Sequence, residues 1–318
     1  MVLARYFCLH FPEKLLYTRP ATQGTPAMQQ QERQIHHLEK IVALCALVAV
    51  LFLTVGFAQA DDKGDPHAVF LRSAIALVKD ANTGEVILDK NSDTVAPIAS
   101  ITKLMSAMVV LDRSLDLEQR VVVSTDDVDT MKGSRSRLRT GSVLTRRQLL
   151  LIMLMASENR AAAALARTYP GGTEKFVSIM NAKAQLLGMR DTRFVEPTGL
   201  SSENVSSAND LVRLVGAAHR YPLIREYTTR ESATVESYGR MLSFRNTNTL
   251  VRNPDWDIKL SKTGYISEAG RCLVMRTRVA KRDLIVVLLD SWGRYSRIGD
   301  ANRIRKWLES SAAKGLSS

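Results

Sequence analysis

Histidine is scarce in this 318-residue chain: there are five, and beyond residue 60 only His67 and His219. No HExxH is present and no Cys/His cluster, which argues against a zinc hydrolase. A Ser-His-Asp triad would have to draw on His67, in DPHAVF, or on His219, at a predicted helix end, and no G-x-S-x-G elbow accompanies either. GxGxxG and GxxxxGK[ST], the phosphate-cradling loops of nucleotide enzymes, are missing too. Cysteine is equally rare. Cys8 and Cys45 precede residue 60, so Cys272 alone remains beyond it and no intramolecular disulfide is possible there. Its setting, CLVM, predicts a buried small hydrophobe rather than a nucleophile. No internal period of about 20 to 50 residues is visible, which excludes a repeat array.

One long hydrophobic run exists, Ile41 to Phe57, with Lys40 before it and Ala58-Gln59-Ala60 after it. Small residues at −3 and −1 predict a secretory signal cut after Ala60. The alternative is a membrane anchor, for which this run is at the short limit. Residues 1–39 are long for a signal n-region, and Met28 lies at a more usual distance, so translation is expected to start at Met28. The chain thus divides into an extension and signal peptide, 1–60, and one catalytic domain, 61–318. That domain carries 39 basic and 29 acidic side chains, a net charge of +10. Such a charge suits an anionic partner. For an exported protein this means cell-wall polymer or lipid head groups, and no nucleic acid.

Ser73 to Val78 reads as a strand, Asn82-Thr83-Gly84 as a turn, and Glu85 to Leu88 as a returning strand. Helices are predicted over Ile101–Leu111, after an N-cap at Thr145, over Arg160–Tyr169, from a Thr173 cap to Gly188, and over Asn209–His219. Strands resume at Ile258–Leu260, and Arg271–Val279 with Leu284–Leu289 predicts a hairpin. Asp300–Ser310 closes the chain as an amphipathic helix with Ile304, Trp307 and Leu308 on one face. The expected fold is α/β in the α+β sense: an antiparallel sheet from both chain ends, flanked by helices, plus a mostly helical lobe. The sheet lobe spans about 65–98 and 225–312, the helical lobe about 99–224, with the site in the cleft between them.

The remaining chemistry is a serine activated by lysine. Ser100-Ile101-Thr102-Lys103 has S-x-x-K spacing, which puts the amine and the hydroxyl on one helix face. A serine in the first turn also meets outward-pointing N–H groups that favour an oxyanion. The lysine acts as a base only if burial or a second cation lowers its pKa. Four residues are a weak signal, however, and Ser311-Ala312-Ala313-Lys314 repeats the spacing in a polar tail. S-x-N occurs at Ser157-Glu158-Asn159, Ser202-Glu203-Asn204 and Ser207-Ala208-Asn209. The first lies between two apolar helices and is the preferred candidate; the others read as loop and N-cap. Lys262-Thr263-Gly264 is the single K-T-G and ends a predicted strand. Its lysine and threonine suit a carboxylate, and its glycine lets substrate approach the backbone.

With the three motifs in this order, the chain resembles the low-molecular-mass penicillin-binding proteins, the D-alanyl-D-alanine endopeptidase and carboxypeptidase (serine peptidase S11) family of β-lactamase/transpeptidase-like fold. PIASITKLMSAMVVLD and LMASENRAAAALA resemble the endopeptidase branch. The resemblance implies that Ser100 attacks a D-Ala carbonyl and Lys103 takes its proton. It further implies that Ser157 serves a proton relay, Asn159 binds the peptide, and Lys262 and Thr263 bind the carboxylate. The N–H groups of Ser100 and Tyr265 would form the oxyanion hole. The partners implied are peptidoglycan peptide stems and, as covalent inhibitors, β-lactams; no cofactor is implied. Glu158 stands where many carboxypeptidases of the family have glycine. The 54 residues after Gly264 leave room for the hairpin and the final helix but not for a C-terminal anchor, and SSAAKGLSS is polar. The expected setting is the periplasm. Three rivals remain open: a D,D-carboxypeptidase, a class A β-lactamase, and a non-catalytic wall-binding scaffold using Lys132, Arg135, Arg137 and Arg139. Against the β-lactamase, Glu196-Pro197-Thr198-Gly199-Leu200 lacks the asparagine of an E-x-x-L-N loop.

Overall fold

A computed structural model describes residues 69–315; the predicted leader and its cleavage site lie outside them. A five-stranded antiparallel sheet forms from the two ends of the described chain, in the order β2-β1-β11-β10-β9. These strands are β1 (Ser73–Asp80), β2 (Val86–Lys90), β9 (Asp257–Ile266), β10 (Gly270–Val279) and β11 (Arg282–Ser291). Side chains alternate between faces along a strand. Ile75, Leu77, Val274, Ile285, Val287 and Leu289 therefore enter the core shared with the helical lobe. Ala76, Val78, Leu273, Met275, Val286 and Leu288 face the last helix instead, beneath Ala301, Ile304 and Leu308. Burial on both faces explains why LIVVLL reads as an unbroken apolar run rather than an alternating one.

The helical lobe surrounds α1 (Thr102–Asp112), which is buried on every side except at its end. Around it lie α2 (Arg146–Met155), α3 (Asn159–Arg167), α4 (Gly172–Leu186) and α5 (Ala208–Ala218). The Thr145 cap is present: its hydroxyl accepts from Gln148 N, and the Gln148 side chain bonds back. Thr173 does not cap α4. Gly171, at φ 92°, is the N-cap, because the turn into α4 needs a left-handed backbone.

Three features are additional to those expected. Pro222 starts a helix, α6 (Pro222–Thr229), since its fixed φ suits the first helical position. A hairpin follows, β7 (Ser232–Ser237) and β8 (Arg240–Arg245), turning at Tyr238-Gly239 with both φ positive. The short strands β3 (Ala96–Pro97), β4 (Arg120–Val122), β5 (Val143–Thr145) and β6 (Val205–Ser206) pair as β3-β6 and β4-β5. The last helix, α7, runs Ser296–Gly315, longer than expected at both ends. Among the described residues no helix is long and apolar enough to cross a membrane.

Candidate active site

The site is built where the helical lobe meets the edge strand β9. Between β3 and α1 the chain turns through Ala99, at φ 46°, into a single 3-10 turn, Ala99–Ile101, that holds Ser100. Two glycines press on this turn. A Cβ on Gly199 would fall 2.0 Å from Ala99 O, and one on Gly264 would fall 2.9 Å from Ile98 O and 3.1 Å from Ser100 N. Asn204 secures it from behind. Its carbonyl accepts from Ile98 N at 3.0 Å, and its amide donates to Thr102 Oγ1 at 3.1 Å. Ser100 is thus presented by backbone packed against two glycines and braced by Asn204.

Lys103, one turn on, is completely buried. Its Nζ donates to Ser100 Oγ at 2.9 Å, to Asn159 Oδ1 at 2.7 Å and to Thr198 O. Burial disfavours the charged amine and lowers its pKa to about 8, although Glu196 and Glu158 pull the other way. A neutral lysine within hydrogen-bond reach of a hydroxyl is a competent general base.

The opposite wall repeats the pairing. Ser157 sits in the loop between α2 and α3 at φ 61°, a strained conformation for serine that turns its side chain across the cleft. Lys262 Nζ donates to Ser157 Oγ at 2.9 Å and to Thr263 O at 2.9 Å. Burial, then the charges of Lys103 and Arg297, hold the Lys262 amine well below its ordinary range. Asn159 begins α3, and its amide donates to Ser134 Oγ at 2.9 Å. Thr263 Oγ1 donates to Thr247 Oγ1 at 2.6 Å, and Gly264 O accepts from Arg297 at 2.8 Å. Tyr265 follows on the same strand, its exposed ring 4.5 Å from the Arg271 guanidinium.

Six of the eight candidate residues are therefore brought together, Ser100, Lys103, Asn159, Ser157, Lys262 and Gly264, while Thr263 and Tyr265 follow along β9 with the Thr263 hydroxyl on Thr247 and the Tyr265 ring on Arg271. The competing copies do not join them. Ser207 caps α5, Asn204 is the buried brace described above, and Ser311 bonds to Trp307 O at 2.9 Å on α7. Glu158 caps α3 through Arg160 N, which leaves its carboxylate beside Ser157 but committed to the helix end. Glu196 is likewise occupied, accepting from Thr198 N, Thr198 Oγ1 and Gly199 N at 2.5–2.6 Å. Among the described residues no group of three or more His, Cys, Asp or Glu could hold a metal ion. Ser134, Thr198, Thr247 and Arg297 join the site without any signal in the sequence. They lie far along the chain from the motifs they serve, and no short spacing marks them.

Near this centre, Lys132, two residues before Ser134, pairs with Glu268, three residues after Tyr265. A cavity of about 440 Å³ opens beside Asn159, Thr198 and Leu200, with Asp126, Asp129 and Met131 on its far side.

The profile of the D-alanyl-D-alanine carboxypeptidase family matches residues 63–292. A D-alanyl-D-alanine endopeptidase from Pseudomonas aeruginosa is 49% identical over 270 residues, 82% of this chain and 87% of that one. One from Escherichia coli is 46% identical over 271 residues, 85% and 87% of the two chains. Among solved structures, the Streptomyces K15 DD-transpeptidase superposes with a TM-score of 0.69 at 27% identity, over 75% of this chain and 97% of that one. A D-alanyl-D-alanine carboxypeptidase from Mycobacterium tuberculosis gives 0.68 at 28% identity, over 75% and 91%.

Proposed function

Because the chain belongs to the D-alanyl-D-alanine carboxypeptidase family of serine peptidases, we propose that Ser100 is the acylated nucleophile of an enzyme that opens peptidoglycan cross-links, a D-alanyl-D-alanine endopeptidase. The observation that carries the assignment is the 2.9 Å contact between Ser100 Oγ and a fully buried amine whose pKa lies near 8. Lys103 accepts the Ser100 proton as Oγ bonds to the D-Ala carbonyl carbon. The N–H groups of Ser100 and Tyr265 receive the oxyanion. The tetrahedral intermediate collapses, the C–N bond breaks, and the leaving amine takes a proton through Ser157, whose hydroxyl is held by Lys262. Asn159 binds the peptide backbone, and Lys262 with Thr263 receives the carboxylate next to the scissile bond. Water then hydrolyses the acyl-enzyme. A β-lactam enters by the same attack and stays at the acyl stage, because its leaving group remains tethered.

Endopeptidase is preferred to carboxypeptidase on the identity of 46–49% to proteins of that name. The β-lactamase alternative is weakened by the 196–200 segment, which lacks the asparagine of an E-x-x-L-N loop, and by the Glu196 carboxylate, which already accepts from Thr198 N, Gly199 N and the Asn204 amide. The setting we propose is the periplasm, reached through the signal ending at Ala60, with Asp61–Ser318 as the working domain. Digestion of cross-linked muropeptides followed by mass analysis tests the reaction: dimers should fall to monomers. Release of free D-Ala from pentapeptides with dimers left intact would show a carboxypeptidase. Fluorescent penicillin should label the wild type and not Ser100→Ala.

A further inference from the structure

The basic loop Lys132–Arg139 forms one wall of a groove whose other wall is β8. Its inner part, about 790 Å³, runs between Arg135 and Arg137 on the loop and Phe244 and Arg245 on the strand. It continues outward past Arg139 and Arg240 to Tyr238. None of these five arginines has an ion-pair partner among the described residues. Arg137 lies over the Phe244 ring, 5.4 Å from its centroid, which holds one guanidinium in place along the floor. The one acid in the inner groove is Glu158, already committed to capping α3. Guanidinium groups gathered without counter-ions repel one another, so a polyanion gains by lying among them.

The groove also starts at a telling place. Its inner end includes Thr247, whose hydroxyl accepts from Thr263, and Ala156, next to Ser157. If the carboxylate beside the scissile bond rests on Lys262 and Thr263, the groove that begins at Thr247 lies directly beside the rest of that residue. A lone D-Ala ends there. The leaving half of a cross-link does not: it is a whole stem peptide with several free carboxylates.

We propose that the arginine groove binds the leaving stem of a cross-linked substrate through its carboxylates, and so favours cross-link cleavage over release of a single amino acid. This rests on the endopeptidase reading above. Arg135 and Arg245 are exposed and make none of the contacts within the catalytic cluster, so they can be replaced without disturbing it.

The test compares the wild type, Arg135→Gln/Arg245→Gln and Arg135→Lys/Arg245→Lys. Cleavage of a purified muropeptide dimer, D-Ala release from a monomeric pentapeptide, and acylation by fluorescent penicillin are measured at low and high salt. Loss of two exposed charge contacts is expected to lower kcat/KM on the dimer by roughly tenfold, mainly through KM. Pentapeptide and penicillin rates stay unchanged, the lysine pair keeps most of the dimer rate, and the salt dependence of dimer cleavage shrinks in the glutamine pair. Equal losses on all substrates, or no loss on the dimer, overturn the proposal. Dimer binding to Ser100→Ala with and without the glutamine pair separates the two ideas. A wild type that penicillin acylates but that leaves dimers intact removes the endopeptidase reading. Equal dimer affinity with and without the arginines removes the groove.

Discussion

Lys103 and Lys262 stand at the centre of the cleft, and among the described residues neither has a carboxylate bonded to its amine. Each is instead held by hydroxyl, amide or carbonyl oxygens, which orient an amine without stabilising its charge as a carboxylate would. For Lys103 the consequence is a pH profile. Its folded pKa, about 8, lies below the ordinary value of 10.5, so the neutral base accumulates as pH rises through about 8. The second-order rate of penicillin acylation should therefore climb about tenfold per unit below that point and level off above it. A rate already flat from pH 6 would mean that Lys103 is not the titrating base. The same shift has a cost in stability. The unfolded state binds the proton more tightly between about 8 and 10.5, so this group's penalty on folding is full below pH 8 and relaxes above it.

At the scale of elements, the turn that carries Ser100 depends on what its neighbours omit. Gly199 and Gly264 come from distant segments, and each gives up a Cβ so that backbone can pack against Ala99 and Ser100. Gly199→Ala adds an atom 2.0 Å from Ala99 O at φ 83°, where alanine is strained as well. Thermal or denaturant unfolding should show a loss of about 3 kcal/mol, with slower acylation as the turn is displaced. Gly216 is the contrast. It lies inside α5, where an added Cβ would have nothing within 4 Å, so Gly216→Ala should gain about 0.5–1 kcal/mol and leave acylation unchanged. The elements most legible in the sequence were those with local signals: the Thr145 N-cap, the apolar α2, and the β10–β11 hairpin. The β7–β8 hairpin had such a signal as well, since Ala233 and Val235 alternate with polar residues before Tyr238-Gly239. Its polar composition and the arginines of β8 masked it.

At the scale of the whole described molecule, one carboxylate ties the start of β1 to the last helix. Asp300, on α7, accepts from Arg72 N at 3.0 Å, Ser73 N at 2.7 Å and Ser73 Oγ at 2.5 Å, and pairs with Arg303. Burial works against the ionised form, yet the hydrogen bonds from Ser73 and Arg72 and the Arg303 contact outweigh it and lower the pKa. A depressed carboxyl pKa adds stability that is present above the unfolded value of 3.8 and lost as pH falls through the folded one. Asp300→Asn should cost about 1–3 kcal/mol near neutral pH and flatten the acid limb of the stability curve. An unchanged melting curve at pH 7 would refute that role.

The motifs Ser100-x-x-Lys103, Ser157-x-Asn159 and Lys262-Thr263-Gly264 determined the family, the class of reaction and the fold, because their chemistry lies in residue types at short spacings. Ser100 itself was the least distinctive of them, since Ser311 carries the same spacing. What tertiary structure alone decided is which serine has a dry lysine: Lys103 is completely buried between Ser100, Asn159 and Thr198. Burial, the two glycines behind Ser100, and the joining of the Lys132–Arg139 loop to β8 in one cationic groove all depend on segments separated by about a hundred residues. No local pattern encodes such meetings, and desolvation and charge focusing exist only once the chain has folded.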